Sequence, residues 1–287
     1  MKRFLRICCC VFLFIAGNSI FAYAQEQAVL PQSMPEKAPS AMSEPSGKPA
    51  KEQPEIREEP KPDKDVSPSG MTAEESLLIL MEGNKRFAES HTTHPNQDRL
   101  TRYQTATRGQ VPFAVIVTCS DSRVPPNIIF DQGIGDLFVI RTAGHVCDMV
   151  AAASVEYGAD HLLTPLVVVL GHAGCGAVTA TVRGEHASPT IAMLMESIKP
   201  AVDESRTRLP KADEAKIIED AIEIHVRRTI NSILQESPVL KKEVSEGKVT
   251  VCGAIYDIKT GKVRWLARDL LPDDHQSGKT AAEKTAP

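Results

Sequence analysis

Two separated segments of the chain carry residues that together could bind a metal ion. The first opens with Cys119, and a carboxylate, Asp121, and a guanidinium, Arg123, follow at intervals of two residues. The second places His172 and Cys175 three residues apart in a glycine-rich stretch. Two thiolates and one imidazole suit zinc, and the fourth tetrahedral position would remain for water or for Asp121. Three protein ligands and one open position predict a catalytic metal site.

Both segments come directly after predicted buried strands, at 113–118 and 166–170. Ligands bind at the carboxyl ends of the strands in open parallel sheets, so two loops can converge at that edge. His172 and Cys175 also fall at the start of a predicted helix. Their spacing would put both side chains on one helix face, where the first amides of the helix favour a thiolate.

Disulfides are the alternative interpretation of the cysteines. In an exported protein, Cys119 could pair with Cys175, and Cys147 with Cys252, while His172 could be a packed histidine at a strand end. These readings do not explain a His-x-x-Cys loop together with a charged Cys-x-Asp-x-Arg loop, so the metal site is favoured. Cys147 and Cys252 lack such neighbours and are interpreted as core thiols or, failing that, as a bridge.

The apolar pattern predicts the elements that must hold these loops. A capping-box pattern begins a helix over 73–90. Three segments are apolar nearly throughout, as in strands covered on both faces: 113–118, 137–141 and 166–170. Four segments have helical periodicity: 148–163, 176–183, 190–205 and 212–236.

Two further apolar segments, 249–258 and 263–267, flank a Lys-Thr-Gly turn and predict a closing hairpin. The expected fold class is α/β, with a central, mainly parallel β-sheet flanked by helices. An N-terminal helical arm precedes this sheet, and the hairpin adds an antiparallel edge. Residues 71–270 would form this one domain, followed by a disordered tail over 271–287.

The N-terminal residues predict export. A basic start, an apolar run over 7–15 and the pattern Ala22-Tyr23-Ala24 indicate a signal peptide over 1–24. The apolar run is short for a retained membrane anchor, so we expect no stable span after cleavage and a periplasmic or secreted protein. Residues 25–70 are rich in proline and lack aromatic residues, which predicts a disordered linker.

The charge of the chain argues against nucleic acid as a partner. The formal net charge is -4, and cleavage would remove three basic residues with the signal peptide. The mature chain would therefore be more acidic, and it has no basic tract that could neutralise phosphates.

Four blocks resemble the signature blocks of the β-carbonic anhydrases, in family order. They are CSDSRVPP at 119–126, GDLFVIR at 135–141, SVEY at 154–157 and GHAGCGAV at 171–178. The resemblance extends from about Ala73 to Arg268. It implies that Cys119, His172 and Cys175 bind one zinc ion per subunit, and that the subunits form a homodimer or a dimer of dimers.

The resemblance also implies a role for Asp121 and Arg123 as catalytic residues. In one group of the family the arginine holds the aspartate and water completes the metal site, whereas in the other the aspartate can close onto zinc at lower pH. Gln110 matches a glutamine that points at the substrate in the open group, and Ile116 replaces the tryptophan of the bicarbonate-regulated group. The open form is therefore predicted.

The substrate pocket and one departure complete the comparison with the family. Phe138, Ala143 and Tyr157 align with residues of the family's narrow apolar pocket, part of which comes from across a dimer interface; Phe138 alone could equally be strand core. His145 stands where the family commonly has asparagine. It is interpreted as an exposed loop histidine without a role, with assistance to proton export as the alternative.

The predicted function is zinc-dependent, reversible hydration of carbon dioxide to bicarbonate and a proton, by attack of hydroxide generated at zinc. One alternative is a related hydrolase of carbonyl sulfide or carbon disulfide, because the same nucleophile could attack those linear molecules. Another is a non-catalytic zinc-binding envelope protein that recruits partners with its proline-rich segment. The intact pair of Asp121 and Arg123 argues against the second alternative.

Overall fold

The computed structural model describes residues 67–266. The predicted signal peptide, the linker up to residue 66 and the C-terminal tail lie outside the described residues. Within them, the strands are β1 (Ala114–Cys119), β2 (Leu137–Thr142), β3 (Leu166–His172), β4 (Thr250–Tyr256) and β5 (Val263–Trp265). They form one sheet in the order β2-β1-β3-β4-β5. The pairs β2–β1, β1–β3 and β3–β4 are parallel and β4–β5 is antiparallel, so the predicted α/β fold is confirmed.

The apolar sequences of β1 and β3 are explained by a core on each face of the sheet. Every residue of both strands is buried. Alternate side chains point to opposite faces, so Val115 and Val117 join one apolar cluster while Ile116 joins the other. Helices cover both faces, and the loops that follow these two strands therefore start from a rigid base.

The helices number eight within the described range. They are α1 (Ala73–Ala88), α2 (Arg99–Arg108), α3 (Pro126–Ile129), α4 (Met149–Glu156), α5 (Gly176–Arg183), α6 (Pro189–Arg208), α7 (Glu214–Glu236) and α8 (Pro238–Ser245). A 3-10 turn at Ala143–His145 and a π-helical turn at Tyr157–His161 add to them. None of the helices in this range has both the length and the apolar character that a membrane span requires.

The sequence analysis missed three of these helices and simplified a fourth. The α2 helix has no buried residue, so it lacks the apolar stripe that the search relied on. The α3 helix is a single turn, and α8 begins at Pro238 directly after α7 ends. The helix predicted over 148–163 ends at Glu156 and continues as the π-helical turn.

The N-terminal helix is secured at its start and near its end. The predicted capping box is present, because Thr72 accepts a hydrogen bond from the Glu75 amide at 3.2 Å and the Glu75 carboxylate accepts one from the Thr72 amide at 2.8 Å. The buried Asn84 donates to the carbonyl of Gly261 at 2.8 Å and accepts from the amide of Val263 at 2.8 Å. One side chain thus joins α1 to the C-terminal hairpin.

The side chain of Asp131 fixes the loop between α1 and α2 by hydrogen bonds. Its carboxylate is fully buried and accepts hydrogen bonds from the Arg86 guanidinium at 2.6 Å and from the amides of Thr93 and His94 at 3.0 and 2.9 Å. Burial alone would raise the pKa of Asp131, but these hydrogen bonds outweigh it and lower the pKa to about 2.

We expect Asp131→Asn to lower the free energy of unfolding by about 3 kcal/mol at pH 7, because a neutral amide cannot accept from all these donors. The folded-state pKa is depressed, so the stabilisation is present above the unfolded-state pKa of about 3.9 and is lost as the pH falls toward 2. Urea unfolding at pH 7 and pH 3 tests this, with the exposed Asp203→Asn as the control. A difference from wild type that stays the same at both pH values would contradict it.

Candidate metal centre

The two predicted loops converge at one edge of the sheet. The ligand atoms of Cys119, His172 and Cys175 all lie within 4.8 Å of one another, and all three residues are buried. Cys119 is the last residue of β1 and His172 the last of β3, and these neighbouring parallel strands end together. The predicted convergence is therefore confirmed.

His172 and Cys175 approach each other through a turn and not along a helix face, so that detail of the prediction is wrong. His172 still belongs to β3, Gly174 reverses the chain with a φ of 63°, and Cys175 is the N-cap of α5. The amides of Ala177 and Val178 donate to the Cys175 sulfur, so the start of α5 supplies the hydrogen bonds that favour a thiolate.

The disulfide interpretations are also wrong. Cys119, Cys175 and Cys147 are free thiols, which excludes a Cys119–Cys175 bridge as well as one between Cys147 and Cys252. Cys252 is buried within β4, and Cys147 is half-buried against a core cluster. Both positions agree with the interpretation of these two residues as core thiols.

The cluster carries negative charge before any metal binds. The Cys175 thiol donates to the Cys119 sulfur, and the amides of Asp121 and Gly144 donate to it at 3.4 and 3.3 Å; these hydrogen bonds lower the pKa of Cys119 to about 4. The same shared hydrogen bond, together with burial, raises the pKa of Cys175. A divalent cation would displace the remaining proton.

The residues present fit a zinc ion. The Nδ1 atom of His172 lies 3.1 Å from the Ala173 carbonyl, so it carries the proton and Nε2 is left with a lone pair. That Nε2 atom is buried and has no hydrogen-bond partner among the described residues. A buried acceptor without a partner is costly, and a metal ion would satisfy it. One imidazole and two sulfurs are a ligand set that zinc commonly takes in proteins.

Asp121 and Arg123 form a fork-to-fork ion pair at the rim of the cluster. Arg123 donates to one carboxylate oxygen through Nε at 2.9 Å and to the other through a terminal nitrogen at 2.7 Å. These hydrogen bonds hold the pKa of Asp121 well below its usual range. The second of these oxygens lies 4.0 Å from His172 Nε2, so the carboxylate faces the metal position while Arg123 holds it. The open form remains a prediction.

Arg141 braces the loop that carries this pair, a role the sequence analysis did not assign. Its guanidinium donates to the carbonyl of Cys119 at 3.1 Å and to the carbonyl of Asp121 at 2.6 Å. Arg141 lies on β2, and β2 pairs with β1 directly beside the loop. The signal for this role was available only as the position of an arginine at the end of an otherwise apolar strand.

Gly144 contacts the cluster through its backbone amide. Its amide donates to the Cys119 sulfur, and its φ of 63° lies in the left-handed region. A Cβ atom added here would meet Ile198 at 2.9 Å and Ala177 at 3.1 Å. Both the conformation and the space therefore require glycine at this position.

The interpretation of His145 as an exposed loop histidine is wrong. Its side chain is fully buried, and its ring lies 4.5 Å, centroid to centroid, from that of His225 on α7. Burial places the pKa of His145 well below its ordinary value, so the ring is neutral and has no access to buffer. This removes His145 as a proton carrier to solvent.

Phe138 and Tyr157 lie away from the cluster within one subunit. Phe138 pairs with Val115 near the start of β1, four residues from Cys119 at its end. Four residues of strand correspond to about 13 Å. Tyr157 stacks on Phe138 with a centroid distance of 5.9 Å and is 47% exposed. One subunit alone therefore does not bring these two rings to its own metal ligands.

The other two predicted pocket residues occupy different positions. Ala143 is exposed and follows Thr142, the strand partner of Cys119, so it lies at the edge of the cluster. Gln110 is exposed and precedes β1, whereas Cys119 ends that strand. Within one subunit, Ala143 is thus beside the ligands and Gln110 is at the opposite end of β1.

Comparisons with known proteins agree with this site. A family described as carbonic anhydrase matches residues 114–263, a range that includes all three ligand candidates. A carbonic anhydrase of Mycolicibacterium smegmatis is 37% identical over 188 residues, which are 64% of this chain and 88% of the relative. Carbonic anhydrase 2 of Mycobacterium tuberculosis is 37% identical over 187 residues, 64% and 87% of the two chains. The crystal structure of a β-carbonic anhydrase of Aspergillus fumigatus has a TM-score of 0.54 at 25% identity, covering 67% of this chain and 89% of that one.

Proposed function

The chain belongs to the β-carbonic anhydrase family, and from that premise we propose how its own residues carry out the reversible hydration of carbon dioxide. The observation that carries the proposal is the buried cluster of Cys119, His172 and Cys175, whose ligand atoms lie within 4.8 Å of one another. Beside it stands Asp121, a carboxylate with both oxygens engaged by Arg123. A metal ligand set with an acceptor facing the open position is what activation of water requires.

Zinc held by these three ligands supplies a Lewis acid that makes a water molecule a nucleophile near neutral pH. Arg123 keeps Asp121 ionised, so its carboxylate can only accept hydrogen bonds. It would accept a hydrogen bond from the O–H group of the nucleophile and so direct the oxygen lone pair at the carbon of carbon dioxide. Addition of water to carbon dioxide yields bicarbonate and one proton, and that proton leaves to buffer. Arg141 and Gly144 keep the Cys119 loop in place during this reaction.

We also propose that the substrate pocket is completed in a homodimer. Phe138, Tyr157 and Gln110 lie toward the far end of β1 in their own subunit, so an apolar wall at the metal requires these side chains from a second copy. Exposed apolar side chains at the start of α4, Met149 and Val150, are each 74% exposed and support such an interface. Sedimentation of the zinc-loaded protein tests this, and a monomer with full activity would refute it.

Export from the cytoplasm is a further proposal. It is supported by the basic start, the apolar run over 7–15 and the small residues Ala22 and Ala24 that precede the expected cleavage point. N-terminal sequencing of the protein from the extracytoplasmic fraction should begin at Gln25. Recovery of only the uncleaved chain from the cytoplasm would contradict the proposal.

Purified protein should contain about one zinc per subunit and hydrate carbon dioxide faster than it hydrolyses carbonyl sulfide or carbon disulfide. Removal of zinc by a chelator should abolish hydration, and added zinc should restore it, because the ligands remain. The three gases are compared on the same preparation. Faster turnover of either sulfur compound would assign the protein to the related hydrolases.

A further inference from the structure

A hydrogen-bonded path connects the Cys119 sulfur to a histidine on α7. The Gly144 amide donates to the sulfur at 3.3 Å, and the Gly144 carbonyl lies 3.0 Å from Nε2 of His225. His225 is separated from Gly144 by 81 residues and is 4% exposed. Residue 144 is thus held from both sides, by a metal-ligand sulfur and by the helix that covers the site.

The direction of the second hydrogen bond follows from the tautomer. A carbonyl oxygen can only accept, so Nε2 of His225 carries the proton and donates it. Burial lowers the pKa of His225 to about 4, so the ring is neutral near physiological pH and has one N–H to give. The other ring nitrogen, Nδ1, is buried and has no hydrogen-bond partner within residues 67–266. The hydrogen bond to Gly144 is therefore the one that this ring makes within the described residues.

The backbone around Gly144 needs such support. The two residues Gly144 and His145 both have a positive φ, 63° and 47°, and for histidine this conformation is strained. The His145 ring is also fully buried against His225, with neither of its nitrogens paired in the described structure. A strained, buried turn persists only where its surroundings fix it. The Thr142 hydroxyl spans the turn by donating to the Val146 carbonyl at 2.6 Å, and the His225 N–H is the side-chain donor to the Gly144 carbonyl itself.

We propose that His225 is a positioning residue for the metal centre: its N–H fixes the Gly144 carbonyl, and so aims the Gly144 amide at the Cys119 sulfur. An N–H donated to a thiolate withdraws charge from it and orients it, so loss of the His225 donor should change how tightly, and how covalently, Cys119 binds a metal. The inference rests on the proposed function, because it assumes that Cys119 is a ligand.

A pair of variants separates hydrogen bonding from ring packing. His225→Leu fills similar space without a donor, whereas His225→Gln keeps an N–H at the distance of Nε2. His225→Met is a second donor-free variant, made in parallel in case leucine prevents folding. Ile230→Val, at a buried position further along α7, controls for a general loss of stability.

The first readout is zinc affinity, measured by competition with a chromophoric chelator. We expect about a tenfold loss of affinity in the leucine and methionine variants, a change of less than about twofold in the glutamine variant, and none in Ile230→Val. The second readout is the sulfur-to-cobalt charge-transfer band of the cobalt(II)-substituted proteins. This band should shift in the two donor-free variants and return to its wild-type position with glutamine.

Unchanged affinity and an unchanged band in the donor-free variants would overturn the inference. Equal losses in the leucine and glutamine variants would overturn it as well, because ring packing would then be the cause. The proposed function fails separately: in that case the wild-type protein itself binds no zinc or hydrates no carbon dioxide.

Discussion

Cys175→Ser protein is expected to be purified without zinc and to hydrate carbon dioxide more than about 1,000-fold more slowly than wild type. Cys175 is fully buried, and its sulfur faces both Cys119 and the first amides of α5. A serine hydroxyl at this position is a hard, protonated and weakly binding donor in place of a thiolate. Without the metal, the pKa of the nucleophilic water returns from near neutral to the far higher value of bulk water, which removes the nucleophile.

Metal analysis and stopped-flow hydration assays on the same preparation check this expectation. Cys147→Ser is the matched control, because this half-buried free thiol lies outside the cluster and its loss should leave zinc content and rate unchanged. Stoichiometric zinc in Cys175→Ser would show that Cys175 is not a ligand, and loss of zinc in both variants would indicate a general effect of removing a thiol.

Asp121→Ala should retain zinc and lose about 100-fold in hydration rate. The three ligands do not depend on this carboxylate, but the nucleophile loses the acceptor that orients it. Arg123 holds the pKa of Asp121 well below its usual range, so the carboxylate is charged at neutral pH. It loses this charge only when the pH falls below the pKa of an ordinary carboxyl group. Between pH 6 and 9, titration of Asp121 therefore contributes nothing to the rate profile of the wild-type enzyme.

The control for this variant is Asp203→Ala, which removes a carboxylate from an exposed ion pair with Lys199 at 2.6 Å. Its rate and zinc content should match those of wild type, because exposed pairs contribute little and this one lies on the surface of α6. A wild-type rate in Asp121→Ala would eliminate the orienting role. Loss of zinc from this variant would show that Asp121 is itself a zinc ligand.

The parts of this fold that the sequence predicted are those in which local pattern and burial agree. Val115 and Val117 alternate with Ile116 in a strand that is buried on both faces, so an uninterrupted apolar run was a sufficient signal. Cys119 and His172 end adjacent parallel strands, and their convergence followed from that topology alone. The α2 helix has no buried side chain, and its sequence therefore carried no pattern to detect.

The supporting contacts of the site could not be predicted for a different reason. His225 bonds the Gly144 carbonyl across 81 residues of sequence. The sequence of a helix does not indicate which of its turns will face the loop that carries the metal ligands. His145 lies in a segment that reads as an exposed loop, yet tertiary packing buries it completely. In our proposal, Phe138 and Tyr157 reach the metal of the other subunit in a homodimer. The sequence of one chain does not indicate how two copies would be arranged, so these positions could not be predicted.

The contact of Asn84 with Val263 makes the last hairpin necessary for the complete packing of the first helix. These residues are 179 positions apart, so this hydrogen bond cannot form until the last hairpin exists. Closing so long a segment makes completion of the domain a late event. For a protein that we propose to leave the cytoplasm, the native domain would thus be incomplete until its final strand is made.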